Sequence, residues 1–172
     1  AGARQDVNDM EVVAIQVVSF GEDGYQGSEG FVCNENPQSN QAVAAIALLA
    51  NGQLVVRWES TDGQDAGDID NLAIKARIFD PDGDADSDEF LVNEETAFSQ
   101  AVPDVAAFSN NQFVVVWQSN DREAPGDTDG NAIKARIFDP DGDPDSDEFE
   151  INQTGVGNQV LPQVTVLPDD RF

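Results

Sequence analysis

The sequence predicts an all-β protein built from tandem four-stranded antiparallel repeats 59 residues long. Three observations predict it. First, the chain repeats itself without insertion or deletion: Trp58 in LVVRWES and Trp117 in FVVVWQS lie 59 residues apart, and so do AIKARIFDPDGDADSDEF from Ala73 and AIKARIFDPDGDPDSDEF from Ala132. Second, short segments rich in Val, Ile and Phe alternate with clusters of Asp, Gly, Asn and Pro, which is the signature of strands separated by turns. Third, no stretch of useful length has helical periodicity. Residues 41–50 are rich in alanine, but the aligned stretches carry Pro103 and Pro162, which a helix interior does not accept.

The elements follow in chain order. Residues 1–13 show no clear similarity to their counterparts at 119–131 and form an N-terminal arm. Residues 14–40 are a partial repeat, in which Ala14, Ile15 and Phe20 align with Ala73, Ile74 and Phe79, and Phe31 and Asn34 with Phe90 and Asn93. Residues 41–99 and 100–158 are full repeats. In the second of these the expected strands are 102–108, 113–118, 132–138 and 148–151. The run 113–117 is apolar throughout, as in a strand covered on both faces. Arg57 takes the place of Val116 in the other copy, so that position must reach solvent or a carboxylate. Along 73–79, Ile74, Ala76 and Ile78 alternate with Lys75 and Arg77. Residues 159–172 are a second partial repeat, with Phe172 aligned to Phe113.

Four strands per repeat fit a propeller blade or a sandwich-like unit; a β-trefoil and a stacked solenoid are the alternatives. The chain enters and leaves in mid-repeat. Either the partial units seal within one chain, or they are completed between chains. In the second case the apolar segment containing Glu11, Val12, Val13, Ala14, Ile15, Val17 and Phe20 adds as a strand to the C-terminal partial repeat of a neighbour. Such a head-to-tail contact propagates into a homopolymer.

Composition narrows the function. The formal net charge is -26, from 34 acidic and 8 basic residues, which repels nucleic acid and anionic membranes. It suits a saline or calcium-rich exterior, where cations screen or bridge carboxylates. One cysteine, Cys33, leaves no intramolecular disulfide, and its alignment with Val92 and Ile151 makes it a small core residue. No apolar run approaches the roughly 18 residues of a membrane span, so no membrane insertion is expected. No basic-then-apolar signal opens the chain, so export requires a signal removed or encoded elsewhere.

The pattern FVVVWQS, an Asp/Gly loop, IKARIFDPDG, DEFEIN and NQ-x-x-P-x-V resembles the tandem repeats of very large secreted RTX-type adhesins and calcium-binding hemolysin-like proteins. The resemblance spans residues 14–172. It implies export, attachment at the cell surface and an association with calcium, and it does not imply catalysis. The family's loops are usually rich in glycine, whereas these are rich in aspartate. The glycine-rich nonapeptide of the calcium-binding β-roll is absent, so a β-roll is not implied.

Candidate metal ligands are Asp80, Asp82, Asp84, Asp86, Asp88 and Glu89, with their copies Asp139, Asp141, Asp143, Asp145, Asp147 and Glu148. Calcium takes several oxygen ligands, and an acid-rich loop supplies them. The alternative is a hairpin turn, for which Asp-Gly is suited. The aligned N-terminal stretch keeps Asp23-Gly24 but few of the acids, so the turn is the shared feature. The loops after the tryptophans hold Asp62, Asp68 and Asp70, and Asp121, Asp127 and Asp129, and they weigh between a calcium site and a polar surface in the same way. Trp58 and Trp117 read as core residues or as sugar-stacking platforms. Asn152-Gln153-Thr154 fits a glycosylation sequon. With no histidine, the commonest general base is missing, and the acids are duplicated rather than specialised, so a glycosidase is disfavoured. The expectation is a structural subunit of an extracellular adhesin or filament. The alternative is a calcium-dependent, lectin-like module that binds surface glycans.

Overall fold

The structure is a computed structural model and describes residues 14–19, 23, 26, 29–36, 40–61, 72–96, 98–120, 130–153 and 157–172. It is all-β, with no helix among the described residues. The strands are β1 (Gln16–Val17), β2 (Phe31–Val32), β3 (Gln41–Leu48), β4 (Leu54–Ser60), β5 (Ala73–Phe79), β6 (Phe90–Leu91), β7 (Gln100–Ala107), β8 (Phe113–Ser119), β9 (Ala132–Phe138) and β10 (Phe149–Glu150). They form a four-stranded sheet β3-β4-β5-β6, a second one β7-β8-β9-β10, and the two-stranded pair β1-β2. Every pairing is antiparallel, each full sheet is a simple meander, and none closes into a barrel. The strands expected at 113–118 and 132–138 are β8 and β9. The outer strand is shorter than the expected 148–151: it spans Phe149–Glu150, with the Ile151 N–H still bonded to Ile133 O at 2.8 Å.

The sheets stack face to face, and side-chain alternation decides which neighbour each residue meets. Val55, Ile74, Ala76 and Ile78 of the first sheet share one core with Val105, Phe113, Val115, Trp117 and Phe138 of the second. The other face of the first sheet, with Val56, Trp58 and Phe79, packs on Ile15, Val17, Phe31 and Cys33. The other face of the second, with Val114, Val116 and Ala135, packs on Val164 and Val166. Thus every residue of the apolar run in β8 is buried, alternate ones against opposite neighbours, which is why the run does not alternate in polarity. Each sheet therefore has a forward face toward the next unit and a backward face toward the preceding one.

Backbone geometry repeats with the sequence. Val43, Val102 and Leu161 share a positive φ of 49°, 50° and 58°. At the first two, the ladder slips between Ala42 and Ala45 and between Ala101 and Asp104, which marks a β-bulge in the edge strands β3 and β7. A β-branched residue at positive φ is a strained conformation that its surroundings must hold. The hairpin turn after the bulged strand also recurs. Leu49, Phe108 and Leu167 donate their N–H to the carbonyls of Gln53, Gln112 and Arg171, and Gly52, Asn111 and Asp170 supply the left-handed residue. Residues 159–171 thus trace the path of β7 and its turn, and Gln159 N–H reaches Asn131 O as Gln100 N–H reaches Leu72 O.

Candidate assembly interface

Contacts between units recur at the repeat spacing. Arg77 donates to Cys33 O at 3.2 Å and pairs with Glu35 at 2.9 Å; Arg136, one repeat on, donates to Val92 O at 3.2 Å and pairs with Glu94. Glu35 N–H reaches the Glu89 carboxylate, as Glu94 N–H reaches Glu148 at 2.9 Å. Phe31 lies against Phe79 with ring centroids 4.8 Å apart, and Phe90 against Phe138 at 5.7 Å. The same patch thus meets the same complementary patch twice along the chain, which is a heterologous, head-to-tail interface.

The bulges are part of it. The N–H of Val102 is capped by the Glu59 carboxylate of the preceding unit, and the N–H of Leu161 by Gln118 Oε1 at 3.3 Å. Glu59 and Gln118 are aligned positions. Val102 and Leu161, two of the three residues at positive φ, are therefore each held by a side chain from the unit before. Beside these bulges lies a cleft of about 470 Å³ that includes Arg57, Asp104 and Gln163.

Arg57 is the polar exception in this apolar stack. Its side chain is 4% exposed, and it donates from Nη1 to Val43 O at 2.6 Å and from Nη2 to Asp104 at 3.1 Å. Burial pulls its pKa down, and the Asp104 carboxylate opposes that shift. Asp104 in turn accepts the Val164 N–H at 2.9 Å, so one carboxylate ties three successive units. The carboxylate anticipated opposite Arg57 is thus Asp104. At the next interface the aligned residues are Val116 and Gln163, so both partners lose their charge together.

The acidic turns serve the fold locally. Asp80 accepts the N–H groups of Asp82 and Asp84 at 2.9 Å, and Asp139 does the same for Asp141 and Asp143. Gly83 and Gly142 carry φ of 93° and 91°, a conformation that favours glycine. Asp86 and Asp145 accept from Gln53 and Gln112, and Glu89 and Glu148 pair with the largely buried Lys75 and Lys134. Asp82, Asp84 and Asp88 stay exposed, as do Asp141, Asp143 and Asp147. Among the described residues no group of three or more His, Cys, Asp or Glu side chains is placed to hold a metal ion. Asp62, Asp68, Asp70, Asp121, Asp127, Asp129 and Thr154 lie outside the described residues, as does Gly24.

Both tryptophans are fully buried, and Trp117 Nε1 donates to Gln100 Oε1 at 2.8 Å, so neither offers a ring face to a sugar. Cys33 is buried, and burial pushes its thiol up to about 11. Of the residues expected to donate a strand, Ile15 and Val17 pack against the backward face of the first sheet in their own chain, and Cys33 N–H bonds to Ile15 O at 2.8 Å. Ala14 is exposed, while Glu11, Val12, Val13 and Phe20 lie outside the described residues. The β1-β2 pair stands where β9 and β10 stand in a full unit: Ile15 N–H bonds to Asn34 Oδ1, as Ile74 does to Asn93 and Ile133 to Asn152. The positive-φ conformations at Val43 and Val102 and the cap on Val102 escape sequence reading, because valine there signals an ordinary strand.

The chain matches no known family model and no curated protein.

Proposed function

We propose that this chain is a structural segment of an extracellular adhesin or filament, in which 59-residue units stack head to tail at the cell surface. The observation that carries the reading is the recurrence of one inter-unit contact set: the arginine–carbonyl bond, the glutamate pair and the phenylalanine pair appear at both junctions. An interface of this kind has no built-in stop, so stacking extends until a ring closes or a cap intervenes. The strong negative charge supports an exterior location and keeps finished stacks apart. Calcium is the cation proposed to screen the exposed acids Asp82, Asp84, Asp88, Asp141, Asp143 and Asp147.

Between chains, the stack is proposed to continue by strand donation from residues 11–20 to the C-terminal partial unit of a neighbour. Because Ile15 and Val17 are engaged in their own chain, the donated part centres on Glu11, Val12 and Val13. Deleting residues 1–20 tests this, with light scattering for polymer and circular dichroism for fold. Loss of polymer with retained strand signal is expected. Unchanged polymer from the truncated chain would remove strand donation by the N-terminus.

A further inference from the structure

The two junctions share most of their contacts, and what they share cannot tell one unit from another. Residues 73–93 and 132–152 differ only at positions 85, 91 and 92 and their copies. The arginine–carbonyl bond, the glutamate contact and the phenylalanine pair occur at both junctions. The bulged strands are also alike. Residues 41–48 read QAVAAIAL, 100–107 read QAVPDVAA and 159–166 read QVLPQVTV, each with a positive φ at its third residue. Similar strands in one chain compete for the same face, the condition under which repeats mis-assemble or swap.

The junctions differ beside the bulge. Arg57 faces Asp104 at the first, and the aligned residues at the second are Val116 and Gln163. Ala45 holds the corresponding place in residues 41–48. Of three similar strands, only one thus brings a carboxylate, and of two similar sheets only one brings the cation. Arg57 is buried, and its Nε has no hydrogen-bond partner among the described residues. Such a pair adds little stability, since a well-packed uncharged pair does as well or better. The best-attested use of buried polar groups is to fix register.

We propose that Arg57 and Asp104 form a register key, which makes the first sheet accept residues 100–107 and reject residues 159–166, or residues 41–48 of another copy. A strand with Gln163 or Ala45 in that place leaves Arg57 without a carboxylate. Residues 100–107 laid on the second sheet leave Asp104 against Val116. Either mismatch strands a buried charge, a bias of roughly a hundredfold or more in the pairing constant. The second junction needs no key of its own, because residues 100–107 are already engaged at the first. The key orders units within one chain and acts whether or not chains polymerise.

The test follows refolding from urea by tryptophan emission, with full-length chains at a concentration too low for them to associate. Three chains are compared: the parent, the double variant Arg57→Val with Asp104→Gln, and that double variant carrying Val116→Arg with Gln163→Asp. The last moves the key to the second junction. About 1% of parent chains should mis-stack, against tens of per cent of the double variant, seen as an added slow phase. Proline isomerisation contributes equally to all three, because no proline is altered. Moving the key should return the slow fraction to the parent level, which a purely local role for the pair would not do. A double variant that refolds with the parent's phases would overturn the proposal. So would a slow phase that the moved key fails to remove, or a double variant that does not refold. Since the chains do not associate here, each outcome is independent of strand donation and of the filament.

Discussion

Arg57 and Asp104 sit on facing sheets, 3.1 Å apart, and are replaced by Val116 and Gln163 at the next interface. The two interfaces thus solve the same packing problem, once with an ion pair and once with an uncharged pair. Removing one partner leaves a buried charge. Asp104→Ala is expected to cost about 3–5 kcal/mol in urea unfolding. The double change Arg57→Val with Asp104→Gln, which copies the second interface, should recover most of that loss. If the double variant is as unstable as the sum of its parts, the two interfaces are not interchangeable.

Trp117 fills the space between the sheets and donates its one N–H to Gln100. Trp117→Phe keeps most of the apolar volume but orphans the buried Gln100 oxygen, a cost of about 1–3 kcal/mol. Trp117→Ala adds a cavity and should cost about 3–5 kcal/mol. Equal effects from the two substitutions would show that the hydrogen bond contributes nothing beyond volume.

The strands, their spacing and the two-sided burial of β8 were legible in the sequence, because apolar runs and turn residues report packing directly. Arg57 was legible too, as a charge in an apolar register that demands a carboxylate, though not which one. Illegible were the bulges at Val43 and Val102 and the matching positive φ at Leu161. Valine and leucine disfavour positive φ, and the caps on Val102 and Leu161 come from Glu59 and Gln118, residues of another unit. The roles of Lys75 and Lys134 were equally hidden. Alternation turns them away from Ile74 and Ile133, but only tertiary packing makes that second face an interior one.

Gly142 carries φ of 91°, and a Cβ built there would lie 2.9 Å from the Phe90 ring of the preceding unit. Gly142→Ala therefore meets both backbone strain and an inter-unit clash, and should destabilise by about 1–3 kcal/mol. A Phe90→Ala background should relieve the clash but not the strain. A full cost retained in that background would place the effect in the backbone alone.

The Cys33 thiol, raised from 9.0 to about 11 by burial, stays protonated in the folded state at pH where an unfolded chain ionises. Stability on its account is intact below pH 9.0 and falls as pH rises toward about 11. Alkylation at pH 8 should be slow in the folded chain and rapid in denaturant. Fast labelling without denaturant would contradict the burial of Cys33.

Calcium should raise the melting midpoint relative to chelator at matched ionic strength, if it bridges the exposed acids of the turns. Identical curves would leave those acids as solvated turn residues, with Asp80 and Asp139 retaining their role as caps of the turn backbone.

Open-ended, head-to-tail stacking is tested most directly in electron micrographs of the purified chain at rising concentration. Unbranched filaments one chain wide are expected, with a length that grows with concentration and an axial repeat that matches stacked sheets about 10 Å apart. Discrete particles of a single size at every concentration, whether monomers or closed rings, would contradict it.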